Sequence, residues 1–200
     1  MNVRLIDPAR DMDRVIELYM ACFAEPPWWE RFDEAELRVE FAQTLTWPDA
    51  IFLVTEDDDG KVIGGAIGFN VCRKPGVCEL IPDSDRNSFY VAELFVDPNA
   101  RIKGVCRTMT TSMLTRGYYR GFTRASVRTS VEQAIIRHLF VDGLSFKIIA
   151  RQDVISTKWI DGIERGVPDA RILMTGAIPD YGAAERERLA RVCRDGLCEH

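Results

Sequence analysis

Histidine is scarce in this chain, with only His138 and His200 among 200 residues, and the six cysteines (Cys22, Cys72, Cys78, Cys106, Cys193 and Cys198) include no Cys-x-x-Cys pair. A tetrahedral zinc site needs clustered nitrogen and sulfur ligands, so no metal is expected. Cys72 with Cys78, or Cys193 with Cys198, could bridge across a short loop, but reduced thiols are the expectation for a cytoplasmic chain. No apolar run approaches the roughly 18 to 20 residues needed to span a bilayer, and the amino terminus lacks a signal-peptide pattern. A cytoplasmic protein without a membrane partner is therefore expected. Basic charge is also in deficit: 26 Lys and Arg stand against 31 Asp and Glu, for a net charge of −5. Such a balance argues against broad nucleic-acid binding and mildly favours cationic partners such as amines. Neither repeats nor low-complexity tracts occur.

What is present is enough for one full core, with 46% hydrophobic residues. Val3 to Ile6 reads as a strand, and Asp7-Pro8 supplies a cap and first position for a helix over residues 8–24, with Met12, Val15, Ile16, Tyr19, Cys22 and Phe23 on its apolar face. A second helix fits Asp33 to Leu45. Ile51 to Thr55 and Val62 to Val71 read as a hairpin turned at Asp59-Gly60. Residues 72–88 read as a long polar connection. Further on, Ala125 to Thr129 reads as a strand, with Ser130 to Gln133 as a capping box opening a helix from Val131 to about Asp142. Gly143 is placed as its left-handed terminator. Phe146 to Ala150 and Arg171 to Thr175 read as strands separated by an irregular region over 151–169, and a charged helix near Ala183 to Arg194 closes the chain.

The most informative segment runs from Tyr90 to Arg107. Tyr90 to Val96 is β-branched and aromatic, Asp97-Pro98 ends it, and from Gly104 the apolar residues Val105, Met109 and Met113 take helical spacing. A small-residue turn that opens a helix directly after a buried strand aims unpaired N–H groups and the positive end of the helix dipole at one point, where a phosphate fits. An ordinary strand-to-helix turn is the plainer reading.

The arrangement Arg101-x-x-Gly104-x-Cys106, preceded by Leu94-x-Val96-x-Pro98, resembles the pyrophosphate-binding loop of the GNAT superfamily of acyl-CoA-dependent N-acyltransferases. Cys106 stands where that family usually has Gly or Ala. The resemblance covers residues 3–178 and implies an α/β (mixed α+β) GNAT-like fold: a central, mixed, largely antiparallel sheet, splayed at the acyl-CoA site and flanked by helices. Residues 1–178 would form the N-acetyltransferase domain and 179–200 a carboxy-terminal helical extension. The implied reaction moves an acetyl (acyl) group from acetyl-CoA, as cosubstrate, to a primary amine on a small molecule or protein. Leu94, Phe95 and Val96 would hold pantetheine. Arg101, Ile102, Lys103, Gly104, Val105, Cys106 and Arg107 would hold the pyrophosphate, although Arg107 could instead point to solvent.

Because the thioester is already activated, the protein must mainly position an amine, deprotonate it and stabilise an oxyanion. Glu93, in the strand beside the implied thioester, is the candidate general base; an ion-paired or exposed strand carboxylate is the competing reading. Trp28, Trp29 and Glu30, in a connection that flanks the acceptor site in the family, are candidate acceptor-binding residues, or else a hydrophobic staple for the second helix. The family's usual tyrosine acid has no counterpart: counting back from Gly143 places Leu139, or with a one-residue shift Phe140, at that position. His138 is adjacent and titratable, yet a single histidine on a helix is commonly structural. Solvent protonation of the leaving thiolate, an acid elsewhere in the chain, and a noncatalytic acyl-CoA-binding sensor or degenerate acyltransferase all remain open. A homodimer could form through the terminal helix or the last strand.

Overall fold

Asp7 begins the first helix as the sequence predicts: its carboxylate accepts from the Ala9 N–H at 3.1 Å and Pro8 takes the first turn. A computed structural model describes residues 1–100, 104–181 and 183. Arg101, Ile102 and Lys103, the terminal helix near 183–194 and the Cys193–Cys198 pair lie outside the described residues, apart from Ala183. The element order is β1 (Asn2–Leu5), α1 (Pro8–Phe23), α2 (Glu34–Leu45), β2 (Ile51–Glu56), β3 (Val62–Asn70), α3 (Pro75–Cys78), β4 (Phe89–Val96), α4 (Val105–Tyr119), β5 (Arg124–Ser130), α5 (Ala134–Arg137), β6 (Lys147–Ile160) and β7 (Ile163–Ala177).

Seven strands form one sheet in the order β1-β2-β3-β4-β5-β7-β6. Every pairing is antiparallel except β4 with β5. Helices α1 and α2 cover one face, where Val15, Ile16, Tyr19, Leu37 and Phe41 join Ile67, Phe69, Tyr90 and Leu173 in one core cluster. The other face belongs to α4 and the segment around Phe140, where Met109, Met113, Leu114 and Phe140 pack with Phe89, Val91, Val127 and Met174. Alternation along each strand decides which face a side chain meets. Close packing between β3 and β4 depends on Gly65, since a Cβ there would stand 2.4 Å from the Phe95 ring.

Four expectations are corrected. Residues 72–88 are not an extended polar loop. They fold into α3 and short 3₁₀ turns at Val71–Arg73 and Asp83–Asp85, because Val77 and Ile81 are buried in the core. Within this segment the free Cys72 and Cys78 thiols lie 2.9 Å apart. The helix expected from Val131 starts only at Ala134 and has no side-chain cap: the Ser130 hydroxyl donates to Asp169 at 2.9 Å and accepts from the Glu132 N–H at 3.3 Å, within a turn that precedes the helix. A π turn, His138–Asp142, carries the chain past Gly143 in a right-handed conformation, so Ser145, at φ 58°, makes the left-handed turn instead. Finally, the region 151–169 is not irregular. Strands β6 and β7 run through it as a long ribbon, turned by Asp161 and Gly162 at φ 53° and 76°, two successive positive angles that match the right-handed twist of a hairpin.

Candidate active site

The parallel pair β4–β5 stays together for only three residues, Phe89 with Ala125, Tyr90 with Ser126 and Val91 with Val127. On its other side β4 remains paired with β3 as far as Val96. The register explains the divergence. Ile67 pairs with Glu93 and Gly68 with Val91, so Ala92 is an extra residue on β4, a β-bulge that bends the strand where its pairing with β5 stops. Beyond Val91 the backbone edge of β4 borders a cleft of about 840 Å³.

The bulge also decides where Glu93 points. Up to Ala92, odd residues of β4 (Phe89, Val91) face α4 and even ones (Tyr90, Ala92) face α1. With strict alternation Glu93 would follow Val91 toward α4. The inserted residue shifts the parity: Leu94 and Val96 now pack on the α4 side, Phe95 on the α1 side, and Glu93 comes to the α1 side beside Tyr19. Burial pushes the Glu93 carboxyl up to about 8; Lys74 works against the shift, Glu40 and Glu30 add to it, and a hydrogen bond from Tyr19 favours the charged form. Tyr19, raised far above the ordinary phenol range by its own burial and by Glu93, remains a hydrogen-bond donor throughout the physiological range. Tyr90 is raised to about 12, first by burial and then by Glu93, with Arg128 and Arg171 opposing.

The far wall of the cleft is apolar and belongs to the α4 side. Val105, Val127, Ile135, Ile136 and Phe140 line it. At one end stands the start of α4, where Gly104, at φ 102°, holds a conformation that disfavours side chains, and no side chain caps the helix. Gly104, Val105 and Cys106 line the cleft, whereas Arg107 is exposed and does not.

On the α1 side the segment between α1 and α2 closes the cleft. Trp28 and Glu30 line it; Trp29 does not and stands 40% exposed. The β6–β7 ribbon fixes this segment: Lys158 Nζ donates to the Pro27 carbonyl at 2.7 Å, and the Trp159 N–H to that of Trp29 at 2.5 Å. Arg171 stacks 4.7 Å over Trp28, pairs with Asp169 at 2.6 Å and reaches Glu30 at 3.8 Å. Burial raises the Glu30 carboxyl, while Arg171 and Lys158 hold it down.

The structure thus brings Glu93, Leu94, Phe95, Val96, Gly104, Val105, Cys106, Trp28 and Glu30 to one cleft. His138 lies elsewhere, with its ring 75% exposed and 2.7 Å from Asp142. Leu139 is buried outside the cleft and Phe140 is fully buried at its wall. Sequence reasoning missed Tyr19, Tyr90, Lys74, Arg128 and Arg171. Tyr19 fits the apolar stripe of α1 so well that it reads as core, and the two arginines become site residues only once β5 and β7 are known to be neighbours.

The sequence matches the acetyltransferase (GNAT) family model over residues 12–145. The chain belongs to the GNAT acetyltransferase family. Its fold is shared by a ribosomal-protein-alanine N-acetyltransferase from Brucella melitensis, at TM-score 0.69 and 18% identity over 88% of this chain and 99% of that one. An N-acetyltransferase from Staphylococcus aureus gives TM-score 0.69 at 13% identity, over 89% and 98% of the two chains. A phosphinothricin acetyltransferase from Sinorhizobium meliloti, solved in complex with acetyl-CoA, gives 0.65 at 17% identity over 90% and 89%. No curated protein matches the sequence significantly. Like its family, the GNAT chain has the mixed, mostly antiparallel open sheet flanked by helices. No helix among its described residues is long and apolar enough to cross a membrane, and no cluster of ligating side chains among them could hold a metal.

Proposed function

We propose that the protein transfers an acetyl group from acetyl-CoA to a primary amine, with Glu93 as general base. The observation that carries this reading is the convergence on one cleft of a helix start at Gly104 with no side-chain cap, a strand edge that leaves its β5 partner after Val91, and a half-buried carboxylate whose pKa is raised. Acetyl-CoA fits these features. The amides at the start of α4, with Arg101 and Lys103 adjacent in sequence, would hold the pyrophosphate; the β4 edge at Leu94 to Val96 and the apolar wall at Ile136 and Phe140 would hold pantetheine. The cosubstrate supplies an activated thioester carbonyl.

The remaining work falls to the protein. Trp28 and Glu30 position the cationic amine, the one through its ring face and the other through its charge. Glu93 takes the proton. A carboxylate raised to about 8 is a better match for an alkyl ammonium, near 10.4, than an ordinary one near 4.3, so the proton transfer is less uphill. The Tyr19 hydroxyl beside it favours the charged form that accepts the proton. Phe140, at the cleft wall, has no proton to give, so the leaving thiolate would take its proton from solvent. Support for amine acceptors also comes from the N-acetyltransferases of similar fold.

The absence of an acid at the Leu139–Phe140 position favours one second reading, a noncatalytic acyl-CoA sensor. Two measurements decide between them. A thermal shift with acetyl-CoA is expected under both readings, while release of free thiol with a panel of amines is expected only for the enzyme. No thermal shift at all would overturn the acyl-CoA assignment.

A further inference from the structure

Charge on the α1 side of the cleft is not balanced pair by pair. Arg171 is neutralised by Asp169 at 2.6 Å and Glu30 at 3.8 Å, and its plane is occupied by Trp28. Arg128 differs. It lines the same cleft and is half-buried, but among the described residues it meets no carboxylate; its Nη1 donates to the neutral Gln152 Oε1 at 3.1 Å. Arg128 pairs across the ladder with Leu173, a residue of the α1-side core, so it shares that face with Tyr90 and Glu93. Holding an uncompensated guanidinium in a partly desolvated cleft is costly, and its planar fork suits a carboxylate.

The positions along the sheet give the spacing. Val127 pairs with Val91, so Arg128 sits level with the bulge at Ala92 and one strand away from Glu93. Adjacent strands are about 5 Å apart, and the splay adds somewhat to this. An anion-binding group and the base therefore stand a small molecule's length apart, with the Tyr90 phenol in the field of both. Lys74 is the other cation of the cleft without a carboxylate partner among the described residues, but it is exposed at the rim and belongs to the connection between β3 and α3.

Resting on the acetyl-transfer reading above, we infer that the acceptor is a free amino acid, its carboxylate held by Arg128 and its amine directed to Glu93. Backbone amines at protein termini lack that carboxylate, so Arg128 selects against them. The reaction balances as follows: one ammonium proton passes to Glu93 and on to solvent, the neutral amine nitrogen bonds to the acetyl carbon, the carbon–sulfur bond breaks, and the second proton that the nitrogen loses in becoming an amide passes to water, which returns one to the thiolate, for a net release of one proton.

The test compares thiol release from acetyl-CoA with the protein L-amino acids, their carboxamides and a short peptide. The amine of a carboxamide is the less basic and is therefore more available unprotonated, so intrinsic reactivity opposes the predicted preference. At least one amino acid is expected to exceed its carboxamide by roughly tenfold or more in kcat/KM. Arg128→Gln should raise the KM for that amino acid about 10- to 100-fold and collapse the preference toward unity, Arg128→Lys should restore part of it, and the acetyl-CoA thermal shift reports that each variant is folded. Equal use of acid and carboxamide by the wild-type protein overturns the inference while leaving acetyl transfer intact, as does a preference for the peptide. Loss of selectivity in Lys74→Gln but not in Arg128→Gln overturns the assignment to Arg128. No thiol release with any acceptor overturns this inference and the acetyl-transfer reading together.

Discussion

Glu93 is held in opposing conditions, and both leave measurable traces. Burial favours its neutral form, so the folded protein keeps this proton from the ordinary carboxylate range up to about 8, where the unfolded chain has already lost it. The sign follows: the group's contribution to stability is full at pH 4, falls as pH rises and is lost by the time pH passes 8. Glu93→Gln should therefore raise Tm at pH 8.5 by several degrees, corresponding to on the order of 1–3 kcal/mol, and change it little at pH 4. The same substitution should lower turnover about 10²- to 10⁴-fold and remove the limb of the pH–rate profile that rises toward 8, since transfer needs the charged carboxylate. Wild-type turnover with an unaltered profile would sink the assignment to Glu93. His138 makes the contrasting case. Its ring is exposed, bound to Asp142 and outside the cleft, so His138→Ala should leave turnover within about twofold, a small surface effect. Loss of most of the rate without unfolding would make it the missing acid.

Elements position these residues through geometry that the sequence displays unevenly. Helices α1 and α2 were legible because caps and apolar spacing are local: Asp7 and Asp33 both accept from the first turn, at 3.1 and 3.0 Å. The motif strand and the start of α4 were legible for the same reason. The bulge at Ala92 was not, because a bulge exists only relative to a partner strand, and nothing in the run from Tyr90 to Val96 marks where β3 loses register. Without it Glu93 could be named but not aimed. The ribbon was missed for a different reason. Between Val154 and Val167 it lies beyond β5, the clean alternation of a half-buried strand is weak, and Gly162, Gly166 and Pro168 read as breaks although Asp161-Gly162 is a hairpin turn. Helix α4 carries its own prediction. A Cβ at Gly104 would meet no atom within 4 Å, so Gly104→Ala is limited to the strain of φ 102°. Gly104→Glu adds negative charge where the pyrophosphate would sit, and should abolish the acetyl-CoA thermal shift, with Gly104→Ala intermediate. A folded Gly104→Glu protein with wild-type affinity would falsify the phosphate site.

Across the whole molecule the two faces of one sheet divide the labour. The α4 face supplies the helix start and the apolar wall, the α1 face supplies Tyr19, Glu30, Glu93 and the arginines, and the two meet in the splay between β4 and β5. The β6–β7 ribbon extends the second face past the edge of β5 and meets the segment between α1 and α2, where Lys158 bonds to Pro27, Trp159 to Trp29, and Arg31 stacks over the Trp159 ring. Its pairing beyond Val154 and Asp169 is with itself alone, so the sheet does not depend on it. Replacing residues 155–168 by Asn-Gly, which turns a two-residue hairpin between Val154 and Asp169, should therefore leave the seven-stranded sheet and the acetyl-CoA thermal shift intact. The acceptor wall should loosen, because the segment that carries Trp28 and Glu30 loses the Lys158 and Trp159 bonds to Pro27 and Trp29 and keeps Arg171 against it. The expected result is a KM for the amine raised roughly tenfold or more, with kcat reduced as the amine is held less well against Glu93. A shortened protein with unchanged acceptor kinetics would mean that the ribbon serves another purpose and that the acceptor enters by a different side.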